Sequence, residues 1–167
     1  KSFQSVCKLH NHKVHDHSVS CTHELSTKAN AESLILDGPA TANALDLLGQ
    51  NRLINTYEVG STHYLIDASK SMFSLSGSTL PDEPQGAIWT IDANNTVPQS
   101  NDFQVNHISS TSNQWGQSRE GVSAHYNAEQ AYLYFKQTFN RESINGVGGT
   151  IVSIVNVADE DGGGLDN

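Results

Sequence analysis

The feature of this sequence that most constrains its fold is a change of hydrophobic period after Ser123. From there, apolar residues recur every three or four positions, which is the spacing of one face of an α-helix. Ser123 can accept hydrogen bonds from the first free backbone N–H groups, and Asn145 and Gly146 end the pattern. The spacing predicts one helix over residues 123–141 with an apolar stripe of Ala124, Ala128, Ala131, Phe135 and Phe139. Of these, Ala128, Ala131, Phe135 and Phe139 are predicted to face the core.

Strand-like segments lie on both sides of this helix. Residues 56–59 and 62–66 are rich in β-branched and aromatic residues and are separated by a Gly-Ser pair, which predicts a hairpin. Residues 87–91 predict a further strand, and residues 150–157 form a nearly continuous apolar run. Residues 98–121 are polar and irregular and predict a long surface loop. The pattern predicts an α+β fold, in which one long helix packs on a twisted antiparallel sheet.

Residues 1–38 differ in composition from the rest of the chain. They hold both cysteines and five of the eight histidines, and they show little periodicity before residue 31. The sequence Asp37-Gly38-Pro39 is a strong turn signal. It predicts a boundary between a Cys- and His-rich extension, residues 1–38, and a domain of residues 39–167.

Cys7 and Cys21 form an isolated pair, which favours a disulfide and an oxidising compartment. Histidine and cysteine are also the usual zinc ligands, and five histidines lie close to the pair: His10, His12, His15, His17 and His23. Their spacing fits no ordinary structural zinc pattern. A loop closed by the disulfide is therefore the preferred interpretation, and a metal site is the alternative.

The net negative charge of the chain limits the classes of partner that it can bind. The formal net charge is −9, which repels phosphate groups and argues against nucleic acids and anionic membrane surfaces as partners. No apolar run is long enough to cross a bilayer, and the N-terminal residues lack the layout of a signal peptide. The cysteine pair and the acidic surplus together predict an extracellular protein, whose export signal is expected to have been removed or to lie upstream.

A candidate cation site follows the predicted strand 87–91. Asp92, Asn94 and Thr96 place oxygen-bearing side chains at alternate positions, as at the start of calcium-binding loops. The later Gly and Glu of an EF-hand are absent, and a polar turn with side chain–backbone hydrogen bonds is the alternative. The sequence contains no H-E-x-x-H, no G-x-S-x-G and no phosphate-binding loop, so it assembles no recognisable catalytic motif.

The helical segment carries a resemblance to a known family. Residues 123–143 read S-A-H-Y-N-A-E-Q-A-Y-L-Y-F-K-Q-T-F-N-R-E-S and resemble the first long helix of the thermolysin family, also called bacillolysins or neutral metalloproteases. In that family an A-H-Y-x-A-x-x-x-Y-x-Y-[FY]-K run ends in N-R-x-S. Residues 48–57 and 64–67 resemble the first strands of the mature enzymes. Residues 164–167, G-L-D-N, resemble the loop that leads into D-N-A-F-W-N-G.

This resemblance implies a secreted zinc endopeptidase that hydrolyses peptide bonds in extracellular proteins. The chain would form one wall of its active-site cleft, and Asn167 matches an asparagine whose side chain contacts the substrate backbone. The family's zinc ligands, in H-E-x-x-H and a later Glu, lie beyond this chain, so the chain alone is expected to be inactive. The expected partners are protein or peptide substrates and the C-terminal part of the same enzyme.

The resemblance also bears on calcium and on the N-terminal extension. Asp92, Asn94 and Thr96 match the family's D-x-D-x-Q calcium loop with a shift of one residue, and this match makes calcium a candidate second cofactor beside zinc. Two of the three ligand types are changed, which counts against calcium at this site. The Cys7–Cys21 region has no counterpart in the mature enzymes and is interpreted as the end of a propeptide or a lineage-specific extension. The alternative function is a catalytically silent secreted domain that binds a protein or a cation.

Overall fold

Eight strands and one long helix form the framework of residues 37–98 and 100–159, which are the residues that the computed structural model describes. The helix, α1, is Arg119–Phe139, and a short 3-10 turn is Leu75–Gly77. The strands are β1 (Gly38–Leu45), β2 (Asn51–Val59), β3 (Thr62–Tyr64), β4 (Ile66–Asp67), β5 (Ile88–Thr96), β6 (Asn106–His107), β7 (Ser109–Ser110) and β8 (Ile151–Val157).

The first sheet is antiparallel, in the order β1-β2-β3-β7. The predicted hairpin is confirmed, because β2 and β3 pair with Val59 opposite Thr62. Gly60 between them has a φ of +62°, a conformation that glycine adopts without strain. β1 begins at Gly38, so strand pairing starts within the segment that the sequence predicts to be a turn.

The second sheet is built around β5. β4 and β6 pair with β5 in antiparallel register, with Ile66 opposite Trp89 and Ile91 opposite His107. β8 pairs with β5 in parallel. A parallel neighbour requires a long crossover connection, and α1 lies within the connection from β5 to β8. The predicted α+β class with one long helix is therefore confirmed, and the β5–β8 pair is the parallel exception among the named strands.

The main core lies between α1 and the strands. Its buried apolar residues come from both sheets, from the 106–118 segment and from α1: Ala42, Ala44, Ile54, Leu65, Ile108, Trp115, Val122 and Val155. Helix and strands approach closely at Gly121, where a Cβ atom would lie 2.7 Å from Cδ1 of Ile108. The prediction of a surface loop over 98–121 is therefore wrong in part. Ile108 and Trp115 are buried there singly, and isolated apolar residues produce no periodic signal.

The helix starts earlier and buries a different face than the sequence predicts. It begins at Arg119 instead of Ser123, and the Ser123 hydroxyl accepts a hydrogen bond from the backbone N–H of Leu47 at 2.9 Å. The buried residues of α1 are Gly121, Val122, His125 and Tyr132.

The predicted core face of α1 is wrong. Ala131 is exposed, Phe135 is 48% exposed and Phe139 is 61% exposed, while Ala128 is only half-buried. At about 100° of rotation per residue, the buried face lies roughly a quarter turn away from the apolar stripe. The physical reason is that the buried face carries polar side chains with hydrogen-bond partners, which an apolar periodicity cannot reveal.

Candidate functional site

His125 fixes α1 to both sheets from a fully buried position. Its Nε2 lies 2.9 Å from the backbone oxygen of Asn55 on β2, and its Nδ1 lies 2.9 Å from Oγ1 of Thr90 on β5. A carbonyl oxygen only accepts, so Nε2 carries the proton and Nδ1 of the neutral ring accepts from the Thr90 hydroxyl. Burial lowers the pKa of His125 below its usual value of 6.5, which keeps the ring neutral.

A charged cluster extends this network along α1. The Lys70 ammonium lies 3.1 Å from Oδ2 of the buried Asp67 and also donates to the Glu129 carboxylate on α1. The side-chain amide of Asn55 donates to Oε1 of Glu129 at 3.0 Å. Burial opposes the charge of Lys70, but the hydrogen bond to Glu129 and the attraction of Asp67 outweigh it and raise the Lys70 pKa. The cluster ties the segment after β4 to the middle of α1.

Glu142 follows the end of α1 and connects this segment to α1 and to the segment after β4. Its Oε1 accepts hydrogen bonds from the Ser71 hydroxyl and the Tyr132 hydroxyl, each at 2.8 Å, and Lys136 donates to its Oε2. The hydrogen bonds from Lys136, Ser71 and Tyr132 lower the pKa of Glu142 from 4.5 to about 2. Because Tyr132 and Lys136 lie on α1, Glu142 fixes the start of the connection from α1 to β8.

The predicted cation ligands lie within β5, from its middle residue Asp92 to its last residue Thr96, and not after the strand as the sequence predicts. Oδ1 of Asp92 accepts from the backbone N–H of Asn94 at 2.7 Å, and Oδ2 accepts from the Asn156 side chain at 3.0 Å. The Thr96 hydroxyl donates to the backbone oxygen of Ala93 at 2.5 Å. The bond from Asn94 is of the side chain–backbone kind that the polar-turn interpretation describes, whereas the bond from Asn156 links β5 to β8. A calcium ion here would have to replace some of these bonds.

The remaining predicted site residues, Asn167, Cys7 and Cys21, lie outside the described residues, so the substrate contact and the disulfide stay predictions. Within residues 37–98 and 100–159, no three His, Cys, Asp or Glu side chains are grouped so that they could hold a metal ion. The described residues therefore do not fit a zinc ion. No helix in this part of the chain has the length and apolar character needed to cross a membrane.

β8 is the strand that leads towards Asn167. Val155 is buried under α1, whereas Val152 and Ile154 are 45% and 42% exposed on the opposite face of the sheet. Among the described residues β8 pairs only with β5, which occupies one of its two edges.

The arrangement fixes α1 to β2, to β5 and to the segment after β4, and the residues that do so were missed by sequence reasoning. His125, Glu129 and Glu142 lie inside the helical motif that carries the family resemblance, yet only their apolar neighbours were assigned a structural role. Asp67 and Lys70 lie three residues apart and pair with each other. The sequence feature that could have pointed to them is an oppositely charged pair directly after a β-rich segment that carries few other charges.

Comparison with known proteins defines the class. The sequence profile described as "Thermolysin metallopeptidase, catalytic domain" matches residues 41–167. This chain therefore belongs to the thermolysin metallopeptidase family, as the resemblance predicts.

Two Bacillolysins are among its relatives. The Bacillolysin of Bacillus cereus is 33% identical over 114 residues, which are 65% of this chain and 16% of that protein. The Bacillolysin of Bacillus amyloliquefaciens is 52% identical over 50 residues, which are 29% of this chain and 10% of that protein. The chain thus spans a small part of the length of the curated relatives that it matches.

Proposed function

We propose that this chain is the N-terminal part of a secreted zinc-dependent endopeptidase and forms one wall of its active-site cleft. The observation that carries the proposal is the match of residues 41–167 to the thermolysin catalytic domain. The fold supports it, because the buried contacts of His125 fix α1 to β2 and β5, and β8 pairs with β5 while no other strand of residues 37–98 and 100–159 pairs with it. The substrates are proteins or peptides, since a strand edge offers backbone donors and acceptors that any peptide can pair with.

Asn167 is proposed to bind the substrate backbone beside the scissile bond. It follows β8 by ten residues along the chain, and a side-chain amide offers a donor and an acceptor together. Such a group matches the C=O and N–H of one peptide unit. In this proposal the chain binds and orients the substrate, and it supplies no group that reacts.

The zinc ion is proposed to be held by residues C-terminal to this chain, because the described residues do not fit it. When bound, zinc would polarise the scissile carbonyl and activate a water molecule. The protein that includes the residues after Asn167 should therefore hydrolyse casein, lose activity with a chelator and regain it with added zinc. Hydrolysis insensitive to chelators would contradict the zinc assignment. Absence of hydrolysis under all conditions would favour a catalytically silent binding domain.

Calcium at Asp92, Asn94 and Thr96 and a Cys7–Cys21 disulfide remain proposals. Calcium requires six to eight oxygen ligands, so the single carboxylate of Asp92 would need several carbonyl or water oxygens beside it. A calcium-dependent rise in melting temperature that is lost in Asp92→Asn would support the site, and an unchanged melting temperature would contradict it. Non-reducing peptide mapping tests the disulfide, which two free thiols would refute.

A further inference from the structure

The connection from α1 to β8 contains the single Asn-Gly dipeptide of the sequence, Asn145-Gly146. Both residues are exposed, and within the described part of the chain a Cβ atom built on Gly146 would meet no heavy atom within 4 Å. The peptide unit between the two residues is therefore open to water. Because glycine has no side chain to obstruct the approach, its backbone nitrogen can reach the side-chain amide carbon of the preceding asparagine.

Two backbone donors polarise the side-chain carbonyl of Asn145. Its Oδ1 accepts hydrogen bonds from the backbone N–H of Val147 at 3.0 Å and from that of Gly149 at 2.9 Å. Donors on a carbonyl oxygen stabilise the negative charge that develops there when a nucleophile adds to the carbon, as in an oxyanion hole. The bond from Val147 also closes a ring of atoms that includes the backbone nitrogen of Gly146, so the side chain is folded over the nitrogen that would attack.

The attacking nitrogen is held only weakly, whereas the amide is held in one orientation. The Gly146 N–H donates to the backbone oxygen of Ser143 at 3.3 Å, which is longer than the usual N–H···O distance of about 2.7–3.2 Å. A Cβ atom on Gly149 would collide with Nδ2 of Asn145, so the amide lies against the Gly149 backbone. The loop thus fixes the electrophile and leaves the nucleophile free to lose its proton.

We propose that Asn145 is a self-modification site, at which the folded protein loses the side-chain amide. A base removes the proton from the Gly146 nitrogen, and this nitrogen then forms a bond to Cγ of Asn145. The Cγ–Nδ2 bond breaks, and Nδ2 leaves as ammonia after taking a proton from water. Water opens the resulting cyclic imide at either carbonyl, which gives aspartate or isoaspartate at position 145. The reaction needs only hydroxide and water, and it does not depend on the proposed peptidase function.

The two products act differently on the loop. Aspartate keeps an acceptor for the N–H groups of Val147 and Gly149, and a charged acceptor strengthens such bonds. Isoaspartate carries the main chain through its former side chain, which adds one carbon–carbon bond of about 1.5 Å to the backbone. Hydrogen bonds tolerate a range of donor–acceptor distances of only about 0.5 Å, so both bonds cannot form in this product. The segment that leads into β8 at Ile151 then loses its support.

The test incubates the purified 167-residue chain at pH 8 and follows the peptides that contain Asn145 and Asn101 by mass spectrometry. Asn101 is the internal control, because it is exposed in a turn but is followed by Asp102. In the folded protein we expect the Asn145 amide to be lost at least about tenfold faster than that of Asn101. We also expect this loss to be no slower than in guanidinium chloride, where only the dipeptide sequence acts. Slower loss in the folded protein would overturn the proposal, because the fold would then protect Asn145.

A variant tests the role of the backbone donors. Val147→Pro removes one N–H donor to Oδ1 of Asn145. The loss of the Asn145 amide should slow by about tenfold or more in the folded variant and stay the same in guanidinium chloride. Equal rates in the folded variant and the folded wild type would overturn the proposed activation. The comparison of the folded and unfolded wild type does not depend on how well this variant folds.

The products are tested by thermal unfolding. Asn145→Asp supplies the aspartate product directly, and its melting temperature should lie within about 2 °C of the wild type because both loop bonds persist. The deamidated wild type, isolated by anion exchange after incubation, also contains the isoaspartate product and should melt about 4 °C lower or more. A deamidated fraction that contains isoaspartate and melts with Asn145→Asp would overturn the proposed effect on the loop.

Discussion

His125 provides the sharpest stability prediction, because it is 1% exposed and bonded through both ring nitrogens. His125→Ala removes the partners of the Thr90 hydroxyl and the Asn55 carbonyl. Each buried group left unpaired costs about 1–3 kcal/mol, and the emptied site adds a cavity term. We expect a total loss of about 4 kcal/mol, which is a large share of the ~5–15 kcal/mol that stabilises an ordinary domain.

The assay is urea unfolding at pH 7.5 with Asn127→Ala as the control. Asn127 is an exposed residue of the same helix, so its truncation should change the unfolding free energy by less than about 0.5 kcal/mol. The slope of the unfolding free energy against urea concentration should be the same in both variants as in the wild type if each unfolds from the native state. Equal midpoints for His125→Ala and Asn127→Ala would refute the role given to the buried histidine.

The same residue predicts a pH dependence whose sign follows from its lowered pKa. Because the folded pKa of His125 lies below the unfolded value of about 6.5, the unfolded state binds the proton first. The stability that His125 contributes is therefore fully present above pH 6.5 and is lost as the pH falls below it. The difference in unfolding free energy between the wild type and His125→Ala should shrink over that range. A difference that grows on acidification would contradict a neutral buried ring.

Three further predictions concern Glu142, Phe135 and the isolated chain. The pKa of Glu142 is about 2 in the folded protein, against a usual value of 4.5. The wild type should therefore lose stability between pH 4.5 and pH 2 more steeply than Glu142→Gln, which acid titration followed by circular dichroism measures. Equal slopes for the two proteins would contradict the hydrogen-bonded carboxylate. Phe135→Ala in this chain should lower the free energy of urea unfolding by only about 1–2 kcal/mol, about half of the usual cost at a buried site, because the side chain is 48% exposed. A loss of about 4 kcal/mol would show that Phe135 is buried, as the sequence predicts. The 167-residue chain with added zinc should not hydrolyse casein, and chelator-sensitive hydrolysis by that chain would refute the assignment of the zinc ligands to later residues.

Apolar periodicity and turn residues predicted much of the fold. The β2–β3 hairpin, β5, β8 and the existence of one long helix follow from β-branched runs, a Gly-Ser turn and a three-to-four-residue repeat. The parallel pairing of β5 and β8 was not predicted. The strand–helix–strand order is compatible with a parallel pair, but it does not show which strands are neighbours in the sheet.

The errors come from polar residues in buried positions. The buried face of α1 is organised by His125 and by the hydroxyl of Tyr132, whose energetic contribution depends on partners distant in sequence. The apolar stripe exists on α1 as the sequence predicts, but it is not the face that packs on the sheets. Of the candidate site, Asp92, Asn94 and Thr96 were expected to follow a strand, whereas the structure places all three inside β5, and calcium there stays a prediction. The network that fixes α1 to β2 and β5 required the three-dimensional arrangement.

The measurement that tests the account most directly is the activity of Asn167→Ala in the protein that includes the residues after Asn167. If this chain forms the cleft wall, the variant loses one or two hydrogen bonds to the substrate backbone. We therefore expect kcat/KM for a peptide substrate to fall by about tenfold to a hundredfold, corresponding to about 1–3 kcal/mol, while the bound zinc content stays the same. A variant that cleaves peptides at the wild-type rate would contradict the proposal that this chain contacts the substrate through Asn167.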